Sequence, residues 1–305
     1  MPTKLLVICG PTASGKSELA VRLACELDAE IVNADSMQVY RGMDIGTAKP
    51  DMPERGGIPH HMIDVASPDR LFSAADFMEA ADTAITAITG RGRPVIVVGG
   101  TGLYIRALLK GLVDSPSGAG EIRGQLQADA ELIGNHGMWE KLLKVDPEAA
   151  AQIHPNNLVR IIRALEVQKL TGAPLSQYQR EHAFAGKRYQ ALQIGIQVER
   201  ELLYRRIEER VDRMLRLGLL EEVQRLLDAG YGRDLKAMRS IGYKEAAACL
   251  CGEYGVERAA ELIKRDTRRY AKRQLTWFKA DSEILWLEYP KNFASILEHA
   301  INFFQ

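Results

Sequence analysis

The sequence lacks the features of a membrane, secreted or zinc-clustered protein. Its longest apolar runs are only as long as a β-strand, so none could cross a bilayer as a helix. The four cysteines form no C-x-x-C pair of the kind that binds zinc, and we expect them to be reduced and packed. The amino-terminal residues lead into a strand pattern with no signal-peptide pattern before it. We therefore expect a cytoplasmic protein.

An excess of either charge is also missing. The 40 basic and 40 acidic residues give a formal net charge of zero, which argues mildly against a nucleic-acid-binding protein, since these usually have a basic surface. The 46% hydrophobic and 26% charged content is ordinary for a globular chain, and 305 residues suffice for one large or two modest domains. The local distribution of charge must therefore carry more information than the total.

The first functional pattern follows an apolar strand-like run, Leu5 to Ile8. It matches G-x-x-x-x-G-K-[ST], which is typical of a phosphate-binding loop, because glycine lets successive backbone N–H groups point at one anion at the start of a helix. Lysine then neutralises phosphate charge, and the final hydroxyl can bind Mg²⁺. We predict a nucleotide- or diphosphate-binding cradle with Mg²⁺ on Ser17, the alternative being a glycine-rich turn without a ligand. The cradle comprises Gly10, Pro11, Thr12, Ala13, Ser14, Gly15, Lys16 and Ser17.

Two further strand ends carry polar or small residues. Asp35 follows the strand pattern of residues 30–34, and Gly99-Gly100-Thr101-Gly102 follows that of residues 94–98. In a parallel sheet these ends share the ligand-binding edge. Asp35 could hold a metal through water, cap a helix or act as a general base, and Thr101 could cap a helix or offer its hydroxyl to a ligand. The glycines should let another molecule approach the backbone, and no acidic Walker-B residue equips the site for hydrolysis.

The rest of the chain predicts a core with an insertion. Helical spacing covers residues 17–27, 73–89 and 201–229, the last broken at Gly218, and short strand patterns occur at 60–65, 191–198 and 283–288. A Ser-, Pro- and Gly-rich segment, 113–120, opens a stretch of helical pattern without strands that runs to about residue 188. We predict an α/β fold with a P-loop NTPase-like core and parallel sheet in residues 1–112 and 190–305. Residues 113–189 should form an inserted helical domain.

The adjacent histidines 60 and 61 suggest packing more than metal binding, because no third ligand has a recognisable spacing.

A basic stretch begins at Lys264, with basic residues at 264, 265, 268, 269, 272 and 273. On a helix these positions cover one side. The stretch is either a solvated face or a contact to an RNA backbone, and the nearby Trp277 and Phe278 favour the second interpretation.

Several motifs in order resemble one enzyme family. They are GPTASGKS, DSMQVYRGMDIGTAKP, HHMIDV, GGTGLYI, RALEV, RSIGYKE and KRQLTWFK. Together they resemble the bacterial tRNA dimethylallyltransferases over nearly the whole chain. The resemblance implies transfer of a dimethylallyl group from dimethylallyl diphosphate to N6 of the adenosine immediately 3′ of the anticodon, with Mg²⁺ as cofactor and diphosphate released. The base must leave its stack to react. We expect a monomer that binds the anticodon stem-loop of tRNA.

The resemblance also implies roles for particular residues. Asp35 would be the general base, Thr101 would align the reacting groups, and Arg210 would bind the diphosphate. The inserted domain would help to grip the anticodon stem-loop. Relatives read Gln-Arg where this chain has Val159-Arg160, so a polar contact at Val159 is in doubt. The expected tRNA-binding residues are Asp35, Ser36, Met37, Gln38, Thr101, Arg123, Val159, Arg160, Ile161, Ile162, Arg163, Arg239, Lys272 and Arg273.

Two other functions share the phosphate loop. A small-molecule kinase would use ATP, with Asp35 as a base toward a hydroxyl, but would need no basic helix. A non-catalytic RNA-binding ATPase switch would keep the basic helix, although the missing Walker-B acid argues against it.

Overall fold

The computed structural model describes residues 2–112, 120–182 and 188–305. The boundary segment predicted at 113–120 lies almost entirely outside these residues. The strands are β1 (Lys4–Cys9), β2 (Glu30–Asn33), β3 (His60–His61), β4 (Val95–Gly99), β5 (Gln190–Gln197) and β6 (Ile284–Glu288). The helices are α1 (Lys16–Leu27), α2 (Ala74–Gly90), α3 (Gly102–Lys110), α4 (Gly120–Val145), α5 (Pro147–Gln152), α6 (Leu158–Thr171), α7 (Leu175–His182), α8 (Arg200–Arg216), α9 (Leu219–Asp228), α10 (Tyr243–Leu250), α11 (Val256–Lys279) and α12 (Phe293–Phe304).

All six strands belong to one parallel sheet in the order β3-β2-β4-β1-β5-β6. β1 lies between β4 and β5, with Leu5 opposite both Val95 and Ala191. Its side chains alternate between two apolar clusters: Leu5 and Val7 join one, and Leu6 and Ile8 the other. Both faces of the sheet are therefore covered, as parallel sheets require. This confirms the predicted α/β class with a parallel sheet.

The third strand is shorter than predicted. Only His60 and His61 pair with β2, because Met62 (φ 65°) and Asp64 (φ 57°) adopt left-handed backbone conformations that end the ladder. Within the part of the chain that the structure describes, neither histidine belongs to a group of side chains that could hold a metal ion. His61 Nε2 bonds the buried carboxylate of Glu30 at 2.7 Å, which also accepts from Arg91. The pair packs at the edge of the sheet.

The chain divides into two compact units, Met1–Leu109 with Arg188–Gln305, and Lys110–Lys187. The first holds the sheet. The second is helical in its described part, where α4, α5 and α6 enclose an apolar cluster that includes Leu126, Met138 and Ile161. Among the described residues, no helix combines the length and apolar character that a bilayer span requires.

Candidate active site

The phosphate cradle connects β1 to α1. Gly15 precedes α1 with φ 91° and offers no side chain to cap it, so the first amides of the helix are not consumed by a side-chain cap. Ala13 also has a positive φ of 63°, and Gly10 has a φ of 150°. This curled backbone at a helix N-terminus suits an anion, because both the amide groups and the helix dipole favour negative charge.

Two cations border the cradle. Lys16 donates to the carbonyl of Pro11 at 3.2 Å, and the guanidinium of Arg210, on α8, donates to Thr12 Oγ1 at 2.9 Å. Burial lowers the pKa of Lys16 to about 8, an effect that the negative charge of Asp35 opposes. Burial lowers the pKa of Arg210 as well, again against the field of Asp35. Neither cation has a carboxylate within ion-pair distance in the described parts of the chain, so both can neutralise a bound anion.

Asp35 begins a loop that follows β2, the Asp35 loop (residues 35–49). Its Oδ1 accepts from the amides of Met37 at 2.9 Å and Gln38 at 3.4 Å. This bond caps a turn, which is close to the capping role considered from the sequence. Oδ2 accepts no hydrogen bond within residues 2–112, 120–182 and 188–305, so it can accept a proton or bind a ligand.

Thr101 lies beside the start of that loop. Its Oγ1 accepts from the amide of Ser36 at 2.9 Å and is 3.3 Å from Ser36 Oγ, to which it donates. Its carbonyl accepts from Tyr104 at 2.9 Å and opens α3. The two roles open from the sequence therefore belong to different atoms: the backbone starts a helix, and the hydroxyl joins the loop that carries Asp35.

A cavity of about 210 Å³ opens beside Ser36 and Thr101. Its walls are largely apolar and aromatic, with one lysine. Such a surface suits a planar base or a short hydrocarbon chain next to polar groups. The lining residues are Ser36, Met37, Tyr40, Phe72, Ser73, Ala74, Thr101, Leu103, Tyr104 and Lys236.

Distant residues hold the rest of the Asp35 loop. The buried side-chain amide of Gln38 donates to the carbonyls of Thr47 and Ala48, at 3.1 and 3.0 Å. Glu222, on α9, accepts from the amides of Asp44, Ile45 and Gly46, and from the hydroxyl of Tyr243 at 2.5 Å. The side-chain amide of Gln38 thus shapes the loop, and its backbone is also bonded: its amide donates to Asp35 Oδ1 and its carbonyl accepts from the amide of Asp64.

At Gly99, the last residue of β4, and at the glycines that follow it, the space in which another molecule was expected is taken on the Cβ side by this chain itself. A Cβ at Gly99 would lie 2.1 Å from the carbonyl oxygen of Ala34. At Gly100 it would lie 2.3 Å from Gln274 Nε2, and at Gly102 2.1 Å from Trp277 Nε1. The chain itself fills the space that the missing side chains leave.

Two residues of α11 belong to the site although the sequence analysis did not place them there: Gln274, and Tyr270, which bonds the side chains of Thr101 and Gln274. Trp277, which the sequence analysis associated with RNA, instead packs against Gly102. Gln274 also accepts from the amide of Thr12 at 2.9 Å. That amide cannot serve the anion, so the cradle amides begin at Ala13. The available signal was the run of glycines, because adjacent residues without a Cβ indicate close packing against large side chains.

The basic stretch of α11 is mostly paired. Lys264 bonds Asp212 at 2.6 Å and Arg268 bonds Glu208 at 2.7 Å, both on α8, while Asp266 accepts from Arg265 and Arg269. Lys272 and Arg273 are exposed and have no carboxylate partner among the described residues. Arg239 is likewise exposed and unpaired there. These three cations suit an RNA backbone better than the other four, each of which is already paired with a carboxylate, although Arg265 and Arg269 share Asp266.

The candidates in the helical unit divide by burial. Arg123 and Arg163 both donate to the buried carboxylate of Glu166, at 2.9 Å each. Val159 and Arg160 are exposed, Val159 by 81%. The side chains of Ile161 and Ile162 are buried in the apolar cluster of this unit, so the prediction that they contact tRNA cannot apply to their side chains.

The donor set at the cradle fits Mg²⁺. The hydroxyl-bearing Ser17 is exposed in the first turn of α1. No group of three His, Cys, Asp or Glu side chains in the described residues could hold a metal alone. Mg²⁺ commonly keeps several waters and uses one or two protein groups plus phosphate oxygens, so a single hydroxyl at a phosphate cradle is a sufficient protein contribution.

Comparison with known proteins decides the family. The family described as IPP transferase matches residues 38–281. The chain belongs to this family. It is 67% identical over 302 residues to tRNA dimethylallyltransferase 1 of Pelobacter propionicus, covering 99% of this chain and 98% of that one. Family membership makes the chain a prenyltransferase and rules out the kinase interpretation.

Solved structures agree with this family. A full-length tRNA isopentenylpyrophosphate transferase from Bacillus halodurans is 43% identical, with a TM-score of 0.73 over 98% of this chain and 96% of that one. A eukaryotic dimethylallyltransferase described as acting on tRNA is 31% identical, with a TM-score of 0.80 over 94% of this chain and 74% of that one. These neighbours confirm the P-loop NTPase-like fold. IPP transferases generally use a divalent metal ion.

Proposed function

We propose that this chain transfers a dimethylallyl group from dimethylallyl diphosphate to N6 of the adenosine immediately 3′ of the anticodon in tRNA. The observation that carries the proposal is the juxtaposition of a cationic phosphate cradle with Asp35, without a Walker-B acid at the end of β4. The cradle suits a diphosphate, and the carboxylate suits an acceptor that must lose a proton. The names of the relatives support the same reaction.

On the donor side, the leaving group gains negative charge as the allylic carbon–oxygen bond breaks. Amides from Ala13 to Ser17 would accept that charge, together with Lys16 and Arg210. Ser17 would hold Mg²⁺, which supplies further positive charge to the phosphate oxygens. Because the cradle is preorganised around backbone groups, it needs little rearrangement as charge develops.

On the acceptor side, the exocyclic amine is a weak nucleophile because its lone pair is delocalised into the ring. A new nitrogen–carbon bond forms as the carbon–oxygen bond breaks, the diphosphate leaves, and Asp35 takes the proton that the amine loses. A base of this kind contributes roughly 10²–10⁴-fold to the rate. Thr101, which is bonded to Ser36, would align the base with the transferring carbon.

For the tRNA, we propose that exposed residues of both units contact the anticodon stem-loop. Arg239, Lys272 and Arg273 are unpaired cations of the core among the described residues, and Arg160 is exposed on α6. Val159, which is 81% exposed, would contribute an apolar contact. Arg123 and Arg163 would act through the rigid pair that each makes with Glu166. We further propose the inserted unit as the stem-loop grip, a monomeric enzyme, and a cytoplasmic location, where tRNA occurs.

The proposal is tested by incubating the protein with unmodified tRNA, Mg²⁺ and dimethylallyl diphosphate, then mapping the RNA by digestion and mass spectrometry. We expect one five-carbon addition, on the adenosine that follows the anticodon. A parallel reaction without Mg²⁺ should lose most of the product. Prenylation at another base, or none, would overturn the assignment of the acceptor.

A further inference from the structure

One buried amide connects the two loops that the reaction uses. Gln274, on α11, is 6% exposed. Its Oε1 accepts from the amide of Thr12, in the phosphate cradle, at 2.9 Å. Its Nε2 donates to the carbonyl of Gly100, next to Thr101, at 2.8 Å. A single side chain therefore bonds the phosphate cradle through its carbonyl oxygen and the turn at Gly100, next to Thr101, through its NH₂ group.

The surroundings of this amide are fitted to it. A Cβ on Gly100 would lie 2.3 Å from Gln274 Nε2, so a larger residue there would displace the amide. One turn earlier on α11, the hydroxyl of Tyr270 interacts with the side chains of both Thr101 and Gln274. The same face of α11 thus contacts the cradle, the Gly100 turn and the Thr101 hydroxyl.

The two bonded loops follow β1 and β4, which are neighbours in the sheet. The sheet sets their spacing at the strand ends but does not fix the loops beyond. In a group transfer, a misplacement of about 1 Å between reacting groups can reduce the rate about 10²-fold. A hydrogen-bonding partner that both loops share would fix the distance between them.

We propose that Gln274 is a positioning residue that holds the diphosphate cradle and the Thr101 edge at a fixed separation, so that the allylic carbon faces the acceptor amine. The inference rests on the proposed prenyl transfer and adds to it a residue that touches neither substrate. It also predicts a side reaction. When the loops are not held together, water replaces the amine, the carbon–oxygen bond breaks as before, and prenyl alcohol forms with loss of a proton to solvent.

The test compares transfer with hydrolysis in the same reaction. Gln274→Met keeps the length of the side chain and loses both bonds. At neutral pH, Gln274→Glu keeps an acceptor for Thr12 but cannot donate to Gly100. Gln224→Met is the matched control, because Gln224 is exposed on α9 and, among the described residues, its side chain bonds only Asp228 of its own helix. Prenyl alcohol and prenylated adenosine are quantified together at saturating tRNA.

We expect the ratio of alcohol to prenylated adenosine to rise about tenfold or more in both Gln274 variants and to stay unchanged in the control. The dissociation constant for unmodified tRNA should stay within about twofold, with the loss in kcat rather than in KM for tRNA. Once the alcohol formed in a reaction without enzyme is subtracted, the ratio does not depend on how much enzyme is folded, so reduced stability alone cannot change it.

Two results would overturn the inference. An unchanged ratio in both variants, with any loss of turnover matched by loss of folded protein, would make Gln274 a packing residue only. Absence of prenylated adenosine with the unaltered chain would overturn the proposed function and this inference with it. The first result leaves the proposed function intact, so the two failures are distinguishable.

Discussion

The phosphate cradle and the Asp35 loop follow two strands of one sheet, but different forces shape them. The cradle owes its curvature to local backbone choices, with left-handed conformations at Ala13 and Gly15. The Asp35 loop owes its shape to side chains, including Lys49, whose ammonium contacts Asp44 and Asp64 at 2.5 Å each. Glu222 reaches the same loop from 176 to 178 positions away in the chain. A loop with a local shape can be recognised from its sequence, whereas a loop held by distant partners cannot.

The largest effect should come from removing the base. Asp35→Asn keeps a side-chain oxygen for the amide of Met37 and loses the carboxylate. We expect the rate constant of prenyl transfer to fall about 10²–10⁴-fold, measured by single-turnover prenylation of tRNA. Asp228→Asn, at an exposed position of α9, is the control and should retain full activity. Full turnover in Asp35→Asn would eliminate the general-base role.

The donor side should be sensitive to charge. In Lys16→Met the cradle loses one of its two cations, and we expect kcat/KM for dimethylallyl diphosphate to fall about 10²–10³-fold. Binding of unmodified tRNA should not change. Lys4→Met is the control, because Lys4 lies at the end of β1 that is far from the cradle. Equal losses in the two variants would contradict a specific role for Lys16.

The distant anchor of the Asp35 loop should affect stability more than diphosphate binding. Glu222→Gln replaces a buried carboxylate that accepts four hydrogen bonds with an amide whose NH₂ group faces a donor. We expect a loss of about 1–3 kcal/mol in the free energy of unfolding, measured by urea denaturation. Glu221→Gln, exposed on the same helix, should lose much less. If prenyl transfer and diphosphate binding weakened equally, the two loops would not be held independently.

The smallest effect concerns pH. Lys16 carries its positive charge below a pKa of about 8 in the free protein and loses it as the pH rises through that value. The affinity for inorganic diphosphate should therefore fall by up to about tenfold per pH unit above 8, as measured by calorimetry. Lys16→Arg keeps its positive charge over this range, so its diphosphate affinity should change less with pH. Comparing the two proteins distinguishes the ionisation of Lys16 from the ionisation of diphosphate. A profile that is the same for both proteins would assign the pH effect to the ligand.

The difference between the loops also explains which features could be predicted. The strands follow from short apolar runs, and the cradle and the break between α8 and α9 follow from the positions of glycines. Each of these signals lies within a few residues of the chain. The commitment of Gln38 to its own loop and the pairing of Lys264 with Asp212 depend on positions that the sequence does not bring together. Gln274 was part of a recognised motif, but its partner Thr12 is 262 positions away. The basic residues near Gln274 suggested an RNA contact, although four of them are paired with carboxylates in the structure.

The most direct test of the account is to measure two binding constants for each of two variants, with inorganic diphosphate and unmodified tRNA as ligands. Lys16→Met should lose diphosphate affinity and keep that for tRNA. Asp35→Asn should keep its tRNA affinity, and its diphosphate affinity should stay the same or increase, because Asp35 places a negative charge in the field of Lys16 and Arg210. If both variants lost affinity for both ligands, the division of roles between the phosphate cradle, which binds the donor, and the Asp35 loop, which serves the acceptor, would be contradicted.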